Sequence, residues 1–475
     1  VTMHNSLGLP PGASPPARLS RRGLIRAGAL GLTASAAAPL SACAGSRTTA
    51  GSGKSLAFMY WGSTYEDQIV RQMLDGFSQQ YDVPTIPRFT PGSNDQYDTK
   101  LNVLVAAGEA PDVLYSHEHM AYNLAERGLA YNLFPAFDTH PELANRFPGS
   151  YYFWDDGKCL GNETGLTVNC LYYLKPAFDE AGVQYPPSTA KEAWDWDTFV
   201  DNARALTLDA EGRHPEDNGF DPSHVAQYGV SGFFNSNAWY AMVRANGGDL
   251  TTKDGTEYAL DSPEAIEALQ HLQDLIHLHH VAPIPKPGGS SGSDTSADFR
   301  SGKVAMAFDG TWTMLNLNQQ NIDYGIGVHP KHQETLSLQF SGCTMINNRT
   351  PIPQEATDFY VHHNDPRALP ELFTSGLWLP LDMKYYTEPE DIAFWTDNEN
   401  HPPEFRTAVM DYLQTNTVTS FVQTLRNMSR IRDVLFPAIE VIQQGHESAA
   451  DVCTSLRDKI QPLLAGAYPN PMEKR

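Results

Sequence analysis

Apolar positions at the start of the chain's main body change period from strand to helix and back. Ser55–Trp61 is a continuous apolar run, Gly62, Ser63 and Thr64 form a polar turn, and Ile69, Met73 and Phe77 then recur at helical spacing. Leu101, Leu104 and Val105 repeat that spacing up to Gly108, where a helix should stop, and Pro111 introduces a second strand ending at Tyr115. Strand, polar turn and helix in succession predict an α/β layer fold, whose ligands meet the loops at the carboxyl ends of strands. Trp61, Ser63 and Thr64 are therefore candidates for a cleft wall, as are His117, Glu118 and His119 beyond the second strand.

The helical period returns further along. Trp196, Phe199, Val200, Ala203 and Leu206 form one stripe behind Asp195, a predicted N-cap. Ser262 before Pro263 is a strong helix start, continued by Ile266, Leu269, Leu272 and Ile276. His277, His279 and His280 fall at the end of that helix, where its dipole favours them. Between the two helices lie Trp239, Asn246 and the pair Gly247, Gly248. Arg213–Pro222 reads as an exposed loop and Ala282–Ser296, rich in Pro, Gly and Ser, as a mobile one.

The stretch from Gly157 to Lys175 joins these halves. Two strand-like runs, Lys158–Gly161 and Leu166–Tyr173, flank Asn162, Glu163, Thr164 and Gly165, a polar turn expected at a surface. Spacing alone fits either a hairpin or a crossover between two bodies. The helix start at Lys175 and Pro176 favours the crossover. Cys159 and Cys170 would then sit on neighbouring strands, so a bridge between them is open, as are the other pairings with Cys343 and Cys453.

Several local motifs resemble the extracellular solute-binding proteins of bacterial sugar importers, the maltose-binding type. They are Gly157, Lys158, Tyr173 and Lys175; Ala107, Gly108, Pro111, Asp112 and Val113; and Phe299, Gly302, Lys303, Ala305 and Met306, followed by Gly310 and Trp312. Pro186 and Pro187 leading to Trp196 and Phe199, and the run Tyr324–Pro330, also fit. Leu174 and Glu163 depart from the pattern, and Glu163 puts a carboxylate where the family often has proline. The resemblance implies a two-lobe periplasmic-binding-protein type II fold, each lobe a sheet flanked by helices. Lobe 1 would comprise 55–163 and 342–380, lobe 2 would comprise 164–341 and 381–475, and Phe340–Ile346 and Leu377–Asp382 would be the later crossovers. It further implies a monomeric receptor that binds a sugar and hands it to the permease subunits of an ABC transporter, without a cofactor or metal.

The N-terminal segment carries a separate message. Arg21 and Arg22 precede an apolar run ending in Leu40, Ser41, Ala42 and Cys43, the order of an export signal. The arginine pair resembles a Tat signal and the final four residues a lipobox. Residues 1–42 are thus expected to be a signal peptide, Cys43 the lipidated residue, and 43–54 a flexible tether to the outer face of the cell membrane. Removing the leader takes away four Arg and no acid, moving the formal charge from −23 to −27. A surface so acidic, with no basic stripe, argues against nucleic acid as a partner.

The site chemistry expected is recognition without reaction. Sugar hydroxyls both donate and accept, and sugar C–H faces lie on aromatic rings. Trp61, Trp239 and Trp312 are candidates for stacking, and His117, Glu118, Glu163, Asn246 and Asp309 for polar contacts, with Ser63 and Thr64 beside them. His117, Glu118 and His119 also have the composition of a zinc site. A glycoside hydrolase would need two opposed carboxylates, and the neighbouring pairs Asp155, Asp156 and Asp195, Asp197 read better as loop and cap residues. A receptor for an anionic polyol such as a glycerol phosphate would need a cation near the cleft, for which Arg244 and Arg406 are candidates.

Overall fold

The computed structural model describes residues 54–92, 95–285 and 294–474. Arg21, Arg22 and Cys43, the expected leader and almost all of the tether lie outside the described residues, as do 286–293 of the expected Ala282–Ser296 loop. No helix among the described residues is long and apolar enough to cross a membrane.

Two mixed sheets, each covered by helices, make two lobes. The first contains β1 (Leu56–Gly62), β2 (Thr85–Pro91), β3 (Val113–Ser116), β4 (Tyr151–Trp154), β5 (Lys158–Glu163) and a late strand, β12 (Cys343–Ile346), in the order β2-β1-β3-β12-β5-β4. The second contains β6 (Asn169–Leu174), β7 (Leu208–Asp209), β8 (Val225–Ser231), β9 (Val304–Gly310) and β10 (Tyr324–Gly327), in the order β10-β6-β9-β8-β7, and β11 (Ser337–Gln339) pairs in parallel with Thr417–Thr419 outside both sheets. The helix Thr64–Tyr81 buries Ile69, Met73 and Phe77, the stripe its spacing predicts. The helices at Trp196 and Pro263 begin as expected, with Asp195 accepting from Thr198 N and Ser262 from Ala265 N.

The chain changes sheet between β5 and β6, so the Gly157–Lys175 stretch is a crossover and not a hairpin. Two expectations for it need correcting. The polar turn is not at a surface: Asn162, Glu163 and Thr164 are all buried. Arg146 Nη1 donates to Asn162 Oδ1 at 2.7 Å and Gln339 Nε2 to Glu163 Oε1 at 3.0 Å, while Glu163 Oε2 is buried without a partner. Nor is there a Cys159–Cys170 bridge, because the two belong to different sheets, opposite Phe153 and Asp309 respectively. Cys159, Cys170, Cys343 and Cys453 are buried free thiols.

Three passages run side by side at this junction. Thr164 N donates to Gly342 O at 2.7 Å, and Leu166 and Leu379 exchange backbone hydrogen bonds of 2.9 and 2.8 Å. Gly161 is needed where β5 meets β12, since a Cβ there would lie 2.0 Å from the carbonyl oxygen of Thr344. Beyond Leu379 the chain stays beside the first sheet for a while. Arg146 bridges to Asp382, and Arg367 pairs with Asp391 at 2.7 Å. It is back at the second sheet's side by Glu404, which accepts from Tyr173 Oη at 3.1 Å.

Candidate ligand cleft

The wall from the first lobe is built at the ends of β1 and β3. Trp61 lies flat on His117, with ring centroids 4.6 Å apart and planes 9° from parallel. His117 in turn lies parallel to His119 at 6.0 Å. Asp98 anchors both imidazoles, 2.7 Å from His117 Nδ1 and 3.5 Å from His119 Nε2. Burial pushes the Asp98 carboxyl up, but these two imidazoles outweigh it and hold it well below the usual carboxylate range. Burial raises Glu118 to about 7, against the pull of His117, Arg432 and Ser420. Its Oε1 is buried without a hydrogen-bond partner.

The opposite wall comes from the second lobe. After β8 the chain turns through Phe234 and Asn235 into Ser236 and Asn237, both left-handed at φ 48° and 63°. Such a conformation costs an L-residue roughly 1–2 kcal/mol, and strain of this kind collects where a loop is shaped for contact. Trp239 follows in the next helix. The helix Met428–Gln443 completes the wall with Arg432, Phe436, Glu440 and Gln443 along one face, Arg432 Nη1 lying 3.2 Å from both ring nitrogens of His119. The walls enclose a cavity of about 400 Å³. It is lined by His117, Glu118 and His119 on one side and by Phe234, Trp239, Arg432 and Phe436, among others, on the other.

Of the residues singled out in the sequence, this cavity brings together His117, Glu118, His119 and Trp239, with Trp61 one ring behind. Ser63 caps the Thr64 helix, accepting from Glu66 N and donating its own N–H to Glu66 Oε2, and Thr64 opens that helix at the surface. Glu163 lies in the buried junction. Asn246 is tied inside the second lobe to Glu264 O at 2.8 Å and Glu267 at 2.9 Å, and Asp309 accepts from Thr295 at 2.7 Å. Trp312 is half-buried, edge-on to Phe340 at 5.6 Å. Arg244 pairs with Asp249 at 3.1 Å in a different hollow, and Arg406 is exposed. His117 and His119 converge on a carboxylate, Asp98, and Arg432 stands beside them, so a cation there would meet a competing charge.

Sequence reading missed Phe234, Ser236, Asn237, Arg432, Phe436, Glu440 and Gln443. The last four fall at a spacing of three to four residues, a helical face that periodicity could have found. The left-handed pair gives no such signal. At the same end of the second sheet, Asn169, Ser231 and Thr311 carry buried side-chain polar atoms without a hydrogen-bond partner.

Residues 72–403 match the family model described as bacterial extracellular solute-binding protein. The chain is 22% identical over 330 residues to the sn-glycerol-3-phosphate-binding periplasmic protein UgpB of Brucella abortus, covering 67% of this chain and 70% of that one. Among solved structures it superposes on an ABC substrate-binding protein of Listeria monocytogenes in complex with cycloalternan, with a TM-score of 0.71, 22% identity and coverage of 86% and 98%. It also superposes on maltose-bound MalE3 of T. maritima, with a TM-score of 0.68, 18% identity and coverage of 86% and 100%. The fold is that of the two-lobe periplasmic binding proteins, and the chain belongs to the family of bacterial extracellular solute-binding proteins.

Proposed function

We propose that this protein is a lipid-anchored receptor that holds a neutral sugar or oligosaccharide between its lobes and delivers it to an ABC importer. The observation that carries the reading is the pairing across the cavity. A carboxyl with an unmet oxygen, Glu118, faces a wall containing Phe234, Trp239 and Phe436. Aromatic faces take the C–H surfaces of a pyranose, and a carboxyl poised near 7 can accept from one hydroxyl or donate to another. A volume of about 400 Å³ suits a small saccharide. Solved relatives of the same fold hold cycloalternan and maltose, which supports the ligand class. Anchoring through Cys43, export through Arg21 and Arg22, and a monomeric state are part of the same proposal.

Arg432 favours a second reading, an anionic polyol, and the curated relatives include glycerol-phosphate binders. Glu440 beside it, and Glu118 in its ionised form, oppose a phosphate, because like charges in a low-dielectric cleft repel. A melting screen separates the two. A ligand at a hundred times its dissociation constant adds about 2.7 kcal/mol to folded stability, a shift of a few degrees even for a large domain. The proposal expects neutral saccharides to raise the melting temperature and glycerol 3-phosphate to leave it unchanged; the reverse result rejects it. For the anchor, Cys43→Ala should move the protein from the membrane fraction to the soluble one.

A further inference from the structure

A second cavity, of about 260 Å³, lies in the first lobe beside the junction and shares no lining residue with the ligand cleft. Its walls include Arg146, Val361 and Asn364, with Glu142, Asp365 and Asp382 around them. Arg146 is only 5% exposed and forms no ion pair among the described residues. Its Nη1 donates to Asn162 Oδ1, and the guanidinium sits 5.4 Å from the centroid of the Tyr360 ring. These two partners leave most of the five N–H donors of the group unused, and its charge is felt by Asp382 across the cavity without a direct ion pair. Asn364, 7% exposed, spends its Nδ2 on Tyr360 O and leaves Oδ1 without a partner.

These groups ask for opposite things from one ligand. The guanidinium fork matches a carboxylate, which accepts two parallel hydrogen bonds. The unmet oxygen of Asn364 needs a donor. The surrounding carboxylates, which outnumber the single cation Lys384, discourage a second negative charge and attract a positive one. We propose that this cavity is a binding site for a small zwitterion of the α-amino-acid type, its carboxylate on Arg146 and its ammonium toward Asn364 and the acidic rim. The volume excludes an oligosaccharide and admits the smaller amino acids. The site touches the junction directly. Arg146 holds Asn162 of β5 through its side chain and bridges to Asp382, at the end of the third passage, through its backbone.

Titration calorimetry with glycine and L-alanine, with acetate and methylammonium as single-charge controls, tests the assignment. The amino acids should give saturable heats and bind at least roughly tenfold more tightly than either control, one charged hydrogen bond being worth more than that factor. Val361→Phe fills the cavity without altering a charge, and Asn364→Ala removes the acceptor; each should weaken the amino acids by roughly tenfold or more. Glu118→Gln, in the other cavity, should leave them bound. No saturable heat from either amino acid overturns the proposal. So does unchanged affinity in Val361→Phe, or loss of binding in Glu118→Gln.

Discussion

The ligand cleft and the junction between the sheets are built from the same kinds of residue and do opposite things with them. In the junction, Asn162, Glu163 and Thr164 are enclosed by Arg146, Gln339, Tyr360 and Gly342, which take up most of their polar atoms. Glu118 and Glu163 each keep one buried oxygen without a partner, but only Glu118 lines the cavity, beside aromatic rings. Both carboxyls are pushed up by burial, Glu118 to about 7 and Glu163 well above its ordinary range. A buried carboxyl at the end of a strand is enclosed where neighbouring passages close over it, as Glu163 is at the end of β5, and borders open volume where the chain turns into a helix, as Glu118 does after β3.

That contrast can be broken by mutation. Truncating the largest aromatic of the cleft, Trp239→Ala, should cost about 3–5 kcal/mol of stability by denaturant titration, because the ring is 2% exposed and fills the second lobe's core as well. Gly161→Ala forces a Cβ against Thr344 O, which backbone on both sides cannot relieve, and should destabilise by roughly 3 kcal/mol. Phe436→Ala touches half-buried surface, so it should spare the fold while weakening the sugar found by the melting screen about tenfold, the worth of one stacked ring.

The two carboxyls differ most in what their amides do. Glu118 has a folded pKa raised above its unfolded value, so its favourable contribution is present below about 4.5 and is lost as pH rises through about 7. Melting curves from pH 5 to 8 should therefore fall less steeply for Glu118→Gln than for the wild type, and sugar affinity should change with it. Glu163→Gln mimics the protonated side chain that burial already favours, so it should leave sugar preference unchanged and stability within about 1 kcal/mol of the wild type. A changed sugar preference in Glu163→Gln would place that residue in the cleft and erase the distinction.

The lobes were legible because period and caps are local. Asp195, Ser262 and the Ile69, Met73, Phe77 stripe announce their helices within four residues, and the strand-end rule led from β1 and β3 to Trp61, His117 and Glu118. Where partners are distant the reading ran out. Glu163 is buried by residues such as Gln339, 176 positions away, and Asn246 and Asp309 look like any loop polar until Glu267 and Thr295 are seen beside them. Arg432 meets His119 across 313 positions, and no local pattern announces that meeting.

Hydrogen exchange with and without the sugar chosen by the melting screen tests most directly whether one ligand is held by both lobes. Backbone amides that a bound ligand stabilises should exchange more slowly. Protection is predicted at once in 117–122 of the first lobe and in 232–245 and 428–443 of the second. Protection confined to one lobe, or centred on 142–146 and 361–366, would contradict it.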